Sequence, residues 1–356
     1  MTIADIDLDG LIEDSRVHGS LYTDSRIYAE ELQRIWSCGW VFVGHDSEIA
    51  QPGDAIRRAI GPRPVTMRRR SDGTVDIDGV PRVDSIRGFV FGSLAADGPG
   101  LDEHLGDATA VFDRVARLSP TGKVRLDCGW LEHEVAANWK LLLENEVDGY
   151  HPNFVHGSIF SVSRGPLTGL FDGRSAAGAR ALDQGHTELV VAPQFRQAGS
   201  LSWVSSTPDK MPEYVRRMRV AYGDRADEYM LDGPPHAMIF PNLFIAEIQV
   251  FVISPRAVDR TVQYVTALQL DDAAELNSKL FRNTMGSVGP AGLLLADDAE
   301  MYERNQRGIT ARDPEWLDLS RGLNREYRDD EGHLAGHVTD EVTQRAIWRH
   351  YRRVMA

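Results

Sequence analysis

The sequence predicts an α+β fold built on a largely antiparallel sheet, and two observations predict it. Strand-like runs cluster between residues 40 and 94 and again between 238 and 270, and the helical patterns are set apart from them. In "TVQYVTALQL", Val262, Tyr264, Leu268 and Leu270 keep the period of two expected when one sheet face is buried. At 356 residues the chain is long enough for one large domain with a smaller companion.

The elements follow in order. "YTDSRIYAEELQRIW" predicts a helix capped around Thr23 to Ser25, with Ile27, Leu32, Ile35 and Trp36 on its apolar face. The runs "WVFVGH", "AIRRAIG", "PVTMRRR" and "GFVFGSL" predict short strands, broken by Pro52-Gly53, Gly61-Pro62 and Asp72-Gly73. The arginines at 68–70 read as a solvated strand edge. A helix at 101–117 leads to Ser119-Pro120-Thr121-Gly122, a boundary signal. This divides the chain into an N-terminal segment (1–39), a small β-rich module (40–122) and a larger domain (123–356). In the last part "AANWKLLLENEVDGY" predicts a helix with Trp139, Leu143, Val147 and Tyr150 on one face. "LADDAEMYERNQRG" and "DEVTQRAIWRHYRRVM" predict two more, the second with acids first and Arg/His last, as the helix dipole favours.

A net charge of −14 excludes general nucleic-acid or anionic-membrane binding, which need a basic face. The acidic opening "MTIADIDLDGLIEDSR" lacks the basic start and apolar run of a secretory signal, and no apolar stretch reaches membrane-spanning length. Two cysteines, Cys38 and Cys128, give no disulfide framework. The expectation is a cytoplasmic protein.

The stretch "DGYHPNFVH" carries the chemistry. On a helix over 138–151, at about 100° per residue, Glu144, Asp148 and His151 share one stripe. Asp148, one turn before His151, is placed to hold the second nitrogen of a ligand histidine. Pro152 predicts that the helix ends or kinks at His151, which would swing His156 back to the same point. With one carboxylate this becomes a 2-His-1-carboxylate site with open positions, the pattern of non-haem Fe(II) oxygenases. Asp297 and Asp298 are the best candidates for the acid. Spacing alone leaves other readings open: two unrelated histidines, Asp297-Asp298 as a helix-capping pair, or a zinc hydrolase, which uses similar ligands.

"NWKLLLENEVDGYHPNFVH", with its Asn-Trp-Lys, Glu-Asn and Asp-x-x-His-x4-His, resembles the mononuclear-iron motif of the α subunits of Rieske ring-hydroxylating oxygenases. "RIWSCGWVFVGHDSEIAQPGD", "VPRVDSIRGFVFGSL", "HAMIFPNLFI" and "GPAGLLLADDAEMYERNQRG" resemble further segments of that family, so the likeness covers most of the chain. It implies a helix-grip (Bet v1/START-like) catalytic domain of antiparallel sheet plus a small β-rich remnant of a Rieske domain. It implies His151 and His156 as imidazole ligands of a mononuclear Fe(II), Asp298 as the carboxylate ligand, and Asp148 as the aspartate that bridges a ligand histidine to a neighbouring subunit's Rieske centre. Asn145 falls where spacing varies within the family. An aromatic substrate, O2, a ferredoxin and reductase, and a trimer-like homo- or hetero-oligomer are implied with it.

One part is missing. A Rieske [2Fe–2S] centre needs two cysteines and two histidines, in this family as Cys-x-His and Cys-x-x-His. Cys38 precedes Gly39-Trp40 and Cys128 precedes Gly129-Trp130, so both read as buried apolar cysteines. Where the family carries several dozen residues, this chain has "DIDG", and a turn at Asp78-Gly79 can rejoin the strand ends. The cluster ligands are absent, and an oxygenase domain without its own electron supply is expected. The alternative is a non-catalytic small-molecule-binding or oligomer-partner protein derived from the family. Phe154, Phe160, Phe240, Leu293, Leu294 and Leu295 are candidate pocket walls. His45, His133 and His186 read as structural, as does Tyr150, with His236 beside Pro235 a candidate pocket wall.

Overall fold

The computed structural model describes residue 8 and residues 10–162, 169–247, 249–289 and 292–356. Among these, the largest sheet has nine strands. Their order is Leu131–Val135, Arg260–Ala267, Gln249–Ala257, Leu243–Ala246, His236–Ile239, Thr187–Val190, Gly178–Ala181, Leu334–His337 and Tyr327–Arg328, and every pairing is antiparallel. The C-terminal helix Val342–Met355 packs against Gly178–Ala181, Thr187–Val190 and Leu334–His337, so the sheet grips it. The expected α+β helix-grip fold is present.

The sheet is buried on both faces, where the sequence predicted one. Ala237, Ile239, Leu243, Ile245 and Val250 enter one core, together with Val111, Phe112 and Met218 from two helices. The alternate residues Met238, Phe244, Ala246, Phe251 and Ile253 enter a second core with Trp139, Leu142, Trp348 and Tyr351. Period-two alternation here separates two apolar layers, because helices cover each side.

The smaller module holds two three-stranded sheets. One contains Val41–His45, Phe89–Ser93 and Arg82–Ile86; the other contains Ala55–Ile60, Arg63–Arg69 and Val75–Ile77. The Asp78-Gly79 turn, with Gly79 at φ +69°, carries the chain from the second sheet into the first and does not close a hairpin within one sheet. Arg68 and Arg69 end the central strand Arg63–Arg69 and Arg70 follows it; Arg68 pairs with Asp78 and Arg70 with Asp76. Asp24, inside the predicted cap, accepts from Arg26 N at 2.8 Å and starts the helix Ser25–Glu31. That helix delivers Glu31 into the second core, where it meets Lys140, Trp139 and Tyr351. The short strand Arg16–His18, not foreseen in a helical segment, pairs with Trp316–Asp318. Among the described residues no helix is long and apolar enough to cross a membrane.

Glu144 sits between these layers. It accepts from Tyr22 Oη at 2.9 and 2.8 Å and from the Trp348 indole. Burial pushes its carboxyl up to about 7, against the pull of Trp348, Tyr22 and Lys140. The folded chain therefore keeps a proton that the unfolded chain releases near 4.5. This contribution to stability is complete below pH 4.5 and is lost as pH rises through about 7, on the order of 3 kcal/mol. Urea midpoints should fall across this window in the wild type relative to Glu144→Gln; parallel profiles would disprove the assignment.

Candidate metal centre

Asn138 caps the helix Trp139–Asn145 by accepting from Lys140 N at 3.1 Å. The helix stops at Asn145, six residues before the predicted end. The Asp148 carboxylate then accepts from the backbone N–H groups of Tyr150 (2.7 Å) and His151 (3.3 Å), closing an Asx-type turn. Pro152 opens the next helix, Pro152–Val155, and does not end the previous one: it occupies the first helical turn, where its missing N–H costs nothing. His151, at φ −57° and ψ −34°, is already helical despite preceding a proline, and its carbonyl accepts from Phe154 and Val155. Gly149 allows this loop to press against the end of the sheet. A Cβ there would lie 2.1 Å from the Val338 carbonyl oxygen.

Asp298 comes from the helix Leu293–Thr310. That helix starts five residues before Asp298, so Asp297-Asp298 is not a capping pair. Asp298 Oδ1 lies 3.2 Å from His156 Nε2 and 3.6 Å from His151 Nε2. Potential ligand atoms of the three residues all lie within 4.8 Å of one another. Each ring turns its other nitrogen to a further carboxylate: His151 Nδ1 stands 3.6 Å from Asp148, and His156 Nδ1 stands 3.6 Å from Asp297. Both Nδ1 atoms are buried and lack a hydrogen-bond partner. Burial pushes the His156 imidazole down, but Asp298 and Asp297 together outweigh it and raise its pKa. Asn145 Nδ2 reaches Asp298 Oδ1 at 3.5 Å. Glu144, placed with Asp148 and His151 by a straight helix, instead faces Tyr22 and Trp348 because the helix ends after one more residue.

The cluster borders a cavity of about 490 Å³. Of the expected walls, Phe160, Leu293 and Leu294 line it. Phe154 points to solvent, while Phe240 and Leu295 are buried in the second core. Trp203, Phe171, Phe244 and Phe251 line it without having been singled out, since apolar strand residues such as Phe244 and Phe251 look alike on either face, and Trp203 and Phe171 come from irregular segments. His236 also lines it, held by Glu247 at 2.8 Å and by the Glu146 carbonyl at 3.0 Å. His45 accepts from Ser47 N and His186 accepts from Phe240 N, as structural histidines do, whereas the buried Nε2 of His133 has no hydrogen-bond partner among the described residues. Tyr150 donates to Glu341 at 3.1 Å.

The cysteines differ from expectation. Cys38 is exposed and Cys128 half-buried, with its sulfur 3.3 Å from Thr266 Oγ1. Among the described residues, the two groups able to hold a metal (His151, His156 and Asp298; Asp329, Glu331 and His333) contain no cysteine.

An antiparallel sheet gripping a C-terminal helix, with two histidines and an aspartate converging beside a cavity, is the architecture of a catalytic domain with a candidate metal centre. Residues 117–356 match the model for the ring hydroxylating alpha subunit (catalytic domain), and the chain belongs to that family. It is 23% identical to the 2-halobenzoate 1,2-dioxygenase large subunit of Burkholderia cepacia, over 86% of this chain and 80% of that one. The alignment runs over 385 residues, more than this chain contains, so the relative carries residues omitted here. The salicylate 5-hydroxylase large oxygenase component of a Ralstonia species is 25% identical over 96% of this chain and 94% of its own length. Among solved structures, a naphthalene 1,2-dioxygenase variant bound to phenanthrene superposes with a TM-score of 0.82 at 21% identity, covering 100% of this chain and 96% of that one.

Proposed function

We propose that His151, His156 and Asp298 hold one ferrous ion and that residues 123–356 form the O2-activating domain of an aromatic ring-hydroxylating oxygenase. Residues 40–122 are read as a Rieske-like module without cluster ligands, and residues 1–39 as a segment packed on the catalytic domain. One observation carries the reading: a single carboxylate oxygen 3.2 and 3.6 Å from two imidazole nitrogens beside the cavity. A divalent ion bonded at about 2.1 Å to each donor spaces them by roughly 3 to 3.4 Å. The unpartnered Nδ1 atoms fit too, since each faces a carboxylate 3.6 Å away, Asp148 or Asp297, that can orient its ring once Nε2 is engaged.

Bound ferrous iron with open positions supplies O2 activation. The chain itself presents the three donors, uses Asp148 to fix the His151 loop, and excludes water with Phe160, Phe171, Trp203 and Leu294. Adding O2 across an aromatic double bond to give a diol also takes two electrons and two protons. With no cluster ligands of its own, the chain would draw these from a partner, such as an intact subunit fed by a ferredoxin and reductase across an oligomer interface.

Hydrogen peroxide tests this directly. It is O2 already carrying two electrons and two protons, so its addition to the ring balances without a donor. The iron-loaded chain, offered benzoate or naphthalene with peroxide, is expected to yield about one hydroxylated product per iron in a single turnover. With O2 and no donor it should yield none. Saturable binding with no oxidised product under peroxide would favour a non-catalytic binding protein.

A further inference from the structure

Most ionisable side chains lining the pocket face a charged or polar partner. Glu247 holds His236 at 2.8 Å, Asp148 stands 3.6 Å from His151, Asp298 faces both ligand histidines, and Glu146 accepts from the Gln263 amide. Arg282 also lines the cavity, and among the described residues no carboxylate lies within ion-pair reach of it. It sits on the helix Ala274–Val288, whose pocket-lining positions Arg282, Asn283, Gly286 and Ser287 share one face and include no acid. Nearly one turn earlier, Lys279 donates to the carbonyl of Ser205, another pocket wall. Burial, then the neighbouring cations Lys210 and Arg282, hold the Lys279 ammonium below its usual range, so the Arg282 side of this helix is basic in a chain whose net charge is −14.

We infer that the substrate is an aromatic carboxylate, its ring among the apolar walls and its anionic group on the guanidinium of Arg282. This rests on the reading of the pocket as an aromatic site and adds the chemistry of its mouth. A planar guanidinium matches a carboxylate through two parallel N–H donors. The basic rim also raises the local concentration of an anion against the field of an acidic chain. The relatives do not decide the point: some are named for benzoates or toluate, others for naphthalene or biphenyl. Arg282 is a specificity-determining residue in this account and touches no reacting atom.

Calorimetric titration of the iron-loaded full chain with benzoate and with its neutral analogue benzamide tests it. Benzoate is expected to bind about tenfold tighter, and Arg282→Gln to remove that margin while leaving benzamide affinity and iron content unchanged. Arg282→Lys should keep an intermediate preference, and added salt should weaken benzoate alone. Benzamide bound as tightly as benzoate, no saturable benzoate binding at millimolar concentration, or a preference that survives Arg282→Gln would each overturn the inference. A surviving preference would place the anion on the iron instead. Because iron content is read separately, any of these results leaves the metal reading standing.

Discussion

His151→Ala, His156→Ala and Asp298→Ala are each expected to cut bound ferrous iron from about one per chain to near zero after gel filtration. Four-ligand protein sites reach about 10–16 kcal/mol, or roughly 3 kcal/mol per donor, so losing one of three costs on the order of a hundredfold in affinity. Removing a neighbouring carboxylate costs less. Asp148→Asn keeps the turn that accepts from Tyr150 and His151 but weakens the charge behind His151 Nδ1, and a loss of roughly ten- to a hundredfold is expected. Asp297→Ala, at the more exposed carboxylate beside His156, should cost least. Thermal unfolding gives a second readout. Ferrous ion at about a hundred times its Kd adds near 2.7 kcal/mol to the wild type and nothing to a variant that cannot bind it. Wild-type iron content in both histidine variants would remove the basis for an oxygenase.

The sequence made the two histidines legible because metal chemistry restricts residue types sharply, and the "DGYHPNFVH" pattern is dense in them. It also allowed the acid to be narrowed to Asp297 or Asp298, and in the structure Asp298 faces both histidines while Asp297 faces only the far nitrogen of His156. What it hid was the path of the chain between Asn145 and His151. A proline before a presumed helix end and a proline at a helix start read alike, and the decision rests on Asp148 capping the loop and on Gly149 packing against Val338. The second buried face of the sheet was hidden for a different reason. Alternation in Val262, Tyr264 and Leu268 marks a strand, whereas burial of the alternate residues Thr261, Gln263 and Val265 depends on what packs from the other side. Gln263, polar and fully buried, is there to donate to Glu146 beneath the pocket. Arg282 escaped notice because nothing in "SKLFRNTMGSV" distinguishes a pocket-rim arginine from a solvated one.

Glu31→Gln is expected to destabilise the fold by about 3–5 kcal/mol, the largest effect of any single change away from the metal centre. Glu31 and Lys140 form an ion pair with side-chain exposures of 0% and 2%. Among the described residues the Lys140 ammonium has no other carboxylate within ion-pair distance, and its surroundings are the rings of Trp139, Tyr22 and Tyr351 at 5.1 to 5.8 Å. Neutralising Glu31 would leave that cation buried with only the more distant, half-titrated Glu144 as a counter-charge. The reverse change is milder. In Lys140→Met the Glu31 carboxylate keeps donors from Trp139 Nε1 and Tyr351 Oη, both at 2.7 Å, and the Met side chain fills the space. The double variant Glu31→Gln with Lys140→Met should recover most of the loss, because two neutral groups carry no desolvation cost to offset. The pair ties the helix Ser25–Glu31 to the helix that leads into the His151 loop and to the C-terminal helix. Urea unfolding of the four proteins measures the coupling, and limited proteolysis should release the N-terminal segment first in Glu31→Gln. If Glu31→Gln unfolds within about 0.5 kcal/mol of the wild type, the pair is not what anchors the N-terminal helix, and apolar packing of Ile27, Ile35 and Trp36 against Trp139 must hold it instead.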